Sequence, residues 1–130
     1  MKDALVRAHI CLAATILPPL IRILPFRWVL AMMNWPARWT PYRGVDADRV
    51  LQIVQRRLTR PRLMRRRACL RRGLLLYHYL RLAGYRPALH FGLRSHDDAG
   101  DRLRGHCWVE LDGCVLGEEP PGLAVVLSTK

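Results

Sequence analysis

Apolar positions crowd the first quarter of the chain, in "ALVRAHICLAATILPPLIRILPFRWVLAMMNW", residues 4 to 35. The uninterrupted run is only Ile10 to Ile21, bracketed by Arg7, His9 and Arg22 and carrying Pro18 and Pro19. That is short of the roughly 20 residues a bilayer needs. The pattern predicts a helix, a break at Pro18 and Pro19, and a second helical stretch carrying Leu20, Ile23, Leu24, Trp28 and Leu30. A signal peptide, with Lys2 and Arg7 before a short apolar core, is the competing reading. An apolar helical pair of this kind packs on its own domain or docks onto a partner, with peripheral membrane contact the lesser option.

"WPARWTPYRG" then reads as loop, and a helix is expected from Asp46 to Leu58, where Val50, Ile53, Val54 and Arg57 recur at helical spacing and Asp46 or Asp48 caps the first turn. From Ala68, Cys69, Gly73, Leu76, Leu80 and Ala83 form one stripe with Leu70, Leu74 and Tyr77 beside it, and Gly84 marks the C-terminal stop. This predicts a buried amphipathic helix with Cys69 in its first turn; His9 and His78 take helix-surface readings. "ALHFGL" alternates as a strand, with His90 half-buried. "RSHDDAGDRLR" is a polar loop in which His96, Asp97 and Asp98 read as solvated rather than as a cation site. "GHCWVEL" alternates again, "DG" is a two-residue hairpin signal, and "CVLGEE" returns.

At 130 residues the chain is about one domain's worth, 51% hydrophobic, which favours a globular chain over disorder. Charge is the unusual quantity: 22 Lys plus Arg against 10 Asp plus Glu gives +12, which favours acidic partners without choosing among nucleic acid, anionic lipid and acidic peptide. Nine of the arginines fall between Arg56 and Arg72, a run whose plain reading is a solvated face. Cys11, Cys69, Cys107 and Cys114 form no CxxC pair, so neither a zinc ribbon nor a disulfide framework is signalled; reduced thiols, most of them core residues, are expected.

Two positions carry candidate chemistry. A thiol in the first turn of a helix meets the positive end of the helix dipole, which favours the thiolate, and Arg65, Arg66 and Arg67 act in the same direction. Those three cations are unfavourable for the helix itself, so activation of Cys69 or recruitment of an acidic substrate segment would account for them. Packing is the plain alternative for a lone Cys. The second position is His106. With Asp112 and Gly113 as the turn, Leu111 faces Cys114, Glu110 faces Val115, Trp108 faces Gly117 and His106 faces Glu119. Asp112 lies six residues along the strand from His106, about 20 Å at roughly 3.3 Å per residue and beyond hydrogen-bond reach. Strict pairing favours Glu119; a bulge, or a strand ending at Gly117, brings Glu118 round instead. Either carboxylate suits the orienting role in a Cys-His-acid triad.

"CLRRGLLLYHYLRLAGYRPALHFGLR" followed by "GHCWVELDGCVLGE" resembles the transglutaminase-like cysteine peptidase superfamily, and within it the leader peptidases of lasso peptide biosynthesis, a microcin-processing family. The "LPF" at residues 24 to 26 and the apolar helices around it match as well. The resemblance implies an α+β fold: an N-terminal helical docking region over 1–45, and over 46–130 a transglutaminase- or papain-like core in which the Cys-bearing helix packs on a small antiparallel sheet. It implies Cys69 as nucleophile, His106 as general base and Glu118 as orienting acid. The family often has Asp where this chain has Glu118 and Glu119.

The activity so implied is cytoplasmic removal of a leader peptide from a ribosomal lasso peptide precursor, in a split arrangement with a separate leader-recognition protein and an ATP-using macrocyclase. The Arg cluster and the apolar N-terminus become docking surfaces for them. No cofactor or metal is expected, and no Gly-rich phosphate loop is present. Two other readings stay open. One is acyl transfer by the same triad to an amine. The other is a non-enzymatic basic module binding nucleic acid or anionic membrane, against which stands the lack of a recognised nucleic-acid motif and of aromatics within the basic run.

Overall fold

The computed structural model describes residues 2–59, 68–94, 104–117 and 124–129. Four helices come first: α1 (Lys2–Ile23), α2 (Phe26–Asn34), α3 (Ala47–Leu58) and α4 (Ala68–Leu82), with a short 3-10 turn at Pro36–Trp39. Four strands follow: β1 (Ala88–Arg94), β2 (Arg104–Leu111), β3 (Cys114–Leu116) and β4 (Ala124–Thr129). They form one antiparallel sheet in the order β3-β2-β1-β4. The protein is therefore α+β, as the resemblance implies.

The helices pile onto the sheet through α4, which packs on β2 and β1, while α3 and α1 pack on α4 and on each other. From Gly73 to Leu80 every residue of α4 is buried. A helix buried on all sides over two turns sits at the centre of the core rather than at its edge, which departs from the amphipathic helix expected. His78 is accordingly not a surface residue: it is 7% exposed, and its Nδ1–H donates to the Met33 carbonyl at 2.9 Å. His9 is half-buried and lies 2.9 Å through Nδ1 from the Tyr42 hydroxyl. Beyond α4, the Tyr85 N–H reaches back to the Leu80 carbonyl and the Gly84 N–H to that of Arg81, both at 3.0 Å, which ends the helix at the glycine the sequence singles out.

The expected break at Pro18 and Pro19 does not occur, and α1 runs through both. The proline ring holds φ near the helical value, so what is lost is the two N–H donors and the room for the carbonyls one turn back. Burial of Val6, Ile10, Ala14 and Leu17 against the core offsets that loss, and the ladder has resumed by the Leu24 N–H to Leu20 carbonyl bond at 2.9 Å. The chain turns instead at Pro25, which disfavours helix at Leu24 and opens α2. Continuous over 22 residues, α1 is long and apolar enough to cross a membrane by length and composition, contrary to the short run expected. Asp46 opens α3 in extended conformation but makes no side-chain cap.

The hairpin matches its prediction. Asp112 and Gly113 both adopt positive φ, 51° and 81°, the requirement of a two-residue turn of the primed kind, and Leu111 pairs with Cys114 and Glu110 with Val115. Strand β4, which sequence reasoning missed in "AVVLST", pairs with β1 across a register shift between Phe91 and Gly92.

Candidate active site

Cys69 sits in the first turn of α4, half-buried. Its position over the sheet is fixed one turn further on. At Gly73 the helix has no side chain, and a Cβ there would stand 2.5 Å from Cys107 Sγ and 3.4 Å from Leu89 Cδ1. The glycine thus lets α4 lie directly on β2 and β1. Cys107 is pushed up to about 12, by burial first and then by the neighbouring charge of Cys69, with Arg72 opposing. Cys69 therefore borders Cys107, the residue after His106. None of the four cysteines forms a disulfide among the described residues. Cys107 alone of them is fully buried; Cys11 and Cys114 are exposed, which corrects the expectation of mostly core cysteines.

Alternation along β2 turns Cys107 and Val109 to the helix face and His106, Trp108 and Glu110 to the other. There β1 contributes His90, which pairs across the ladder with Trp108, while Gly92 stands opposite His106. Three rings result in near-parallel stack. His90 lies 5.5 Å from Trp108 at 25°, and His106 lies 6.1 Å from the same indole at 23°. These are offset-stacking distances, and Trp108 is only 8% exposed.

His90 Nε2 is 3.3 Å from Glu110 Oε2, an ion-pair separation, but the alignment is not that of a hydrogen bond. His90 Nδ1 is buried with no hydrogen-bond partner among the described residues. Sequence reasoning gave His90 only a plain strand role. Its place in the stack follows from the β1–β2 register, which no local pattern reveals.

The remaining expected site residues, Glu118, Glu119, Arg65, Arg66 and Arg67, lie outside the described residues, as do His96, Asp97 and Asp98. Asp112 sits exposed in the hairpin turn, at the opposite end of β2 from His106. Among the described residues no three His, Cys, Asp or Glu side chains gather as a metal-binding group.

A thiol at the first turn of a helix, resting on a strand whose next-door residue is a half-buried imidazole, is an arrangement able to support nucleophilic acyl chemistry. The family model described as transglutaminase-like superfamily matches residues 11–127. No curated protein and no solved structure matches the chain.

Proposed function

This chain belongs to the transglutaminase-like superfamily, and on that premise we propose that it is a cysteine peptidase that removes the leader from a lasso peptide precursor. The observation that carries the reading is the placement of Cys69, at the N-terminus of a helix seated on the strand that bears His106.

In this reading the Cys69 thiolate attacks the carbonyl carbon at the leader-core junction, and the oxyanion receives the Cys69 backbone N–H. The C–N bond breaks as His106 hands its proton to the leaving amine. Water, losing a proton to His106, then cleaves the thioester and restores the thiol. Glu118 orients the imidazole, as the chain's departure from the family's usual Asp. Because the His106 ring lies on the sheet face away from α4, the reading requires the Cys69 thiol, at the very end of the helix, to turn past Cys107 towards it.

The split arrangement assigns leader recognition to a separate small protein and ring closure to an ATP-using macrocyclase, with the reaction in the cytoplasm. Among the described residues the exposed large hydrophobic side chains, Leu5, Leu12, Ile16, Ile23, Trp28, Met32, Trp35 and Trp39, all fall within residues 1–45, which supports docking there.

The test is mass spectrometry of a precursor incubated with its leader-binding protein and either wild type or Cys69→Ala. Cleavage at one leader-core bond that vanishes in Cys69→Ala is expected; cleavage that survives removes the nucleophile. The superfamily also includes acyltransferases, and the same spectra separate them, since hydrolysis adds water whereas transfer joins two substrates.

A further inference from the structure

Away from α4 and the sheet, α1 and α3 enclose a cleft of about 220 Å³. Arg7 reaches it from α1, and Arg49, Gln52, Arg56 and Arg57 from α3. The pattern follows from α3 being amphipathic: Val50, Ile53, Val54 and Leu58 are buried, which leaves the arginines at 49, 56 and 57 along its α1 side. No carboxylate lines the cleft. The one acid paired with these cations among the described residues is Asp3, 3.2 Å from Arg49 and itself about half exposed.

Four arginines lining one concavity bring like charges close enough to repel each other. At separations of a few ångströms each such pair costs about 1 kcal/mol in water and more near a protein surface. A solvated basic face avoids this by spreading its charges outward. Here the opposite holds in one respect: the Nε of Arg57 is buried and has no hydrogen-bond partner among the described residues. A buried unpaired donor on a cation is costly, and an anion seated in the cleft would relieve both the repulsion and that donor.

We propose that the α1–α3 cleft is a binding site for a phosphate-bearing anion, held by Arg7, Arg49, Arg56 and Arg57. Phosphate fits better than a lone carboxylate because its oxygens accept from several guanidinium forks at once. Gln52 adds an amide that can donate to the same group. The volume takes a unit of pyrophosphate size rather than a folded partner. Two sources share this chemistry, a soluble phosphate ester and a phospholipid headgroup. The proposal is independent of the peptidase reading.

The experiment is calorimetric titration of the full chain with inorganic pyrophosphate at fixed ionic strength, beside sedimentation with phosphatidic acid and phosphatidylcholine vesicles. Arg7 and Arg56 are exposed, so Arg7→Gln with Arg56→Gln leaves the core intact; Arg7→Lys with Arg56→Lys keeps the charge and removes the forks. Arg27→Gln with Arg38→Gln, on exposed residues of α2 and the 3-10 turn, makes the same charge change elsewhere. The expected result is saturable 1:1 pyrophosphate binding, weakened at least tenfold by the cleft glutamines, several-fold by the lysines and less than twofold by the control. Cleft-dependent binding confined to phosphatidic acid vesicles supports the site with a lipid headgroup as its source. Equal weakening by cleft and control pairs, or no binding to either phosphate probe, overturns the proposal.

Discussion

Cys107 Sγ occupies the place, 2.5 Å away, that a Cβ on Gly73 would need, so α4 and β2 touch through a missing side chain. That contact sets the height of the first turn of α4, and with it Cys69, above the sheet.

Gly73→Ala pits two effects against each other. Alanine improves helix propensity by about 1 kcal/mol, whereas forcing a methyl against a buried sulfur costs about 1–3 kcal/mol. The net change is a loss of stability in urea denaturation. Cys107→Ala removes the sulfur and leaves its Cβ 3.6 Å from the new methyl, an ordinary contact. The double variant is therefore expected to be more stable than Gly73→Ala alone. A double-mutant cycle showing no coupling would mean that the helix simply moves aside.

His78 makes the fold acid-sensitive. Burial, reinforced by the charges of His9 and Arg81 and only partly opposed by the bond to Met33, lowers its pKa from 6.5 to about 4. The unfolded chain thus takes up the proton first as pH falls. Stability is fully present above about pH 6.5 and is lost progressively towards about pH 4, on the order of 3 kcal/mol from this group. Thermal melts of wild type and His78→Gln across that window check it: the variant is less stable at pH 7 but has a flatter acid limb. Parallel curves would assign the acid sensitivity to other groups.

The thiols should separate by burial. Cys11 and Cys114 are exposed, whereas the Cys107 thiol is buried and stays neutral until about pH 12. Iodoacetamide at pH 8 followed by peptide mass spectrometry is expected to label Cys11 and Cys114 fully while Cys107 stays unmodified until denaturant is added. The same shift makes the fold less stable as pH rises from about 9, where an unfolded thiol ionises, towards 12. Labelling of Cys107 in the folded chain at pH 8 would contradict its burial under α4.

What the sequence made legible was local. Asp112-Gly113 announces its turn because only such residues accept two positive φ values in succession, and Gly84 announces the end of α4 for a related reason. Alternation along β1 and β2 placed His106, Trp108 and Glu110 on one face correctly. What stayed hidden depends on distant partners. His78 looks like a surface residue until the Met33 carbonyl, 45 positions away, accepts a hydrogen bond from its ring N–H. The far side of α4 is buried by α1, and Pro18 and Pro19 are held helical by that same packing. Strand β4 has its ladder on β1, far back in the chain, so a short apolar segment gave no signal of pairing. Cys69 and His106 were named as candidates from the sequence, yet the place of Cys69 beside Cys107 exists only once α4 is seated on the sheet.

Trp108 offers the sharpest test of the proposed site, because it stacks on both His90 and His106 while being neither the proposed nucleophile nor the proposed base. Its ring holds the plane of the His106 imidazole, and a misplacement of about 1 Å in a catalytic group can cost about a hundredfold in rate. Under the peptidase reading Trp108→Leu lowers kcat for precursor cleavage at least tenfold with KM little changed, and Trp108→Phe, which keeps an aromatic face, falls between. Both variants lose stability, by about 2–4 kcal/mol for the leucine, so activity is measured well below their melting temperatures. A positioning role separates kcat from KM and restores activity in the phenylalanine variant. Equal kcat in all three proteins, with only their melting temperatures changed, would reduce Trp108 to a packing residue and leave the orientation of His106 to other groups.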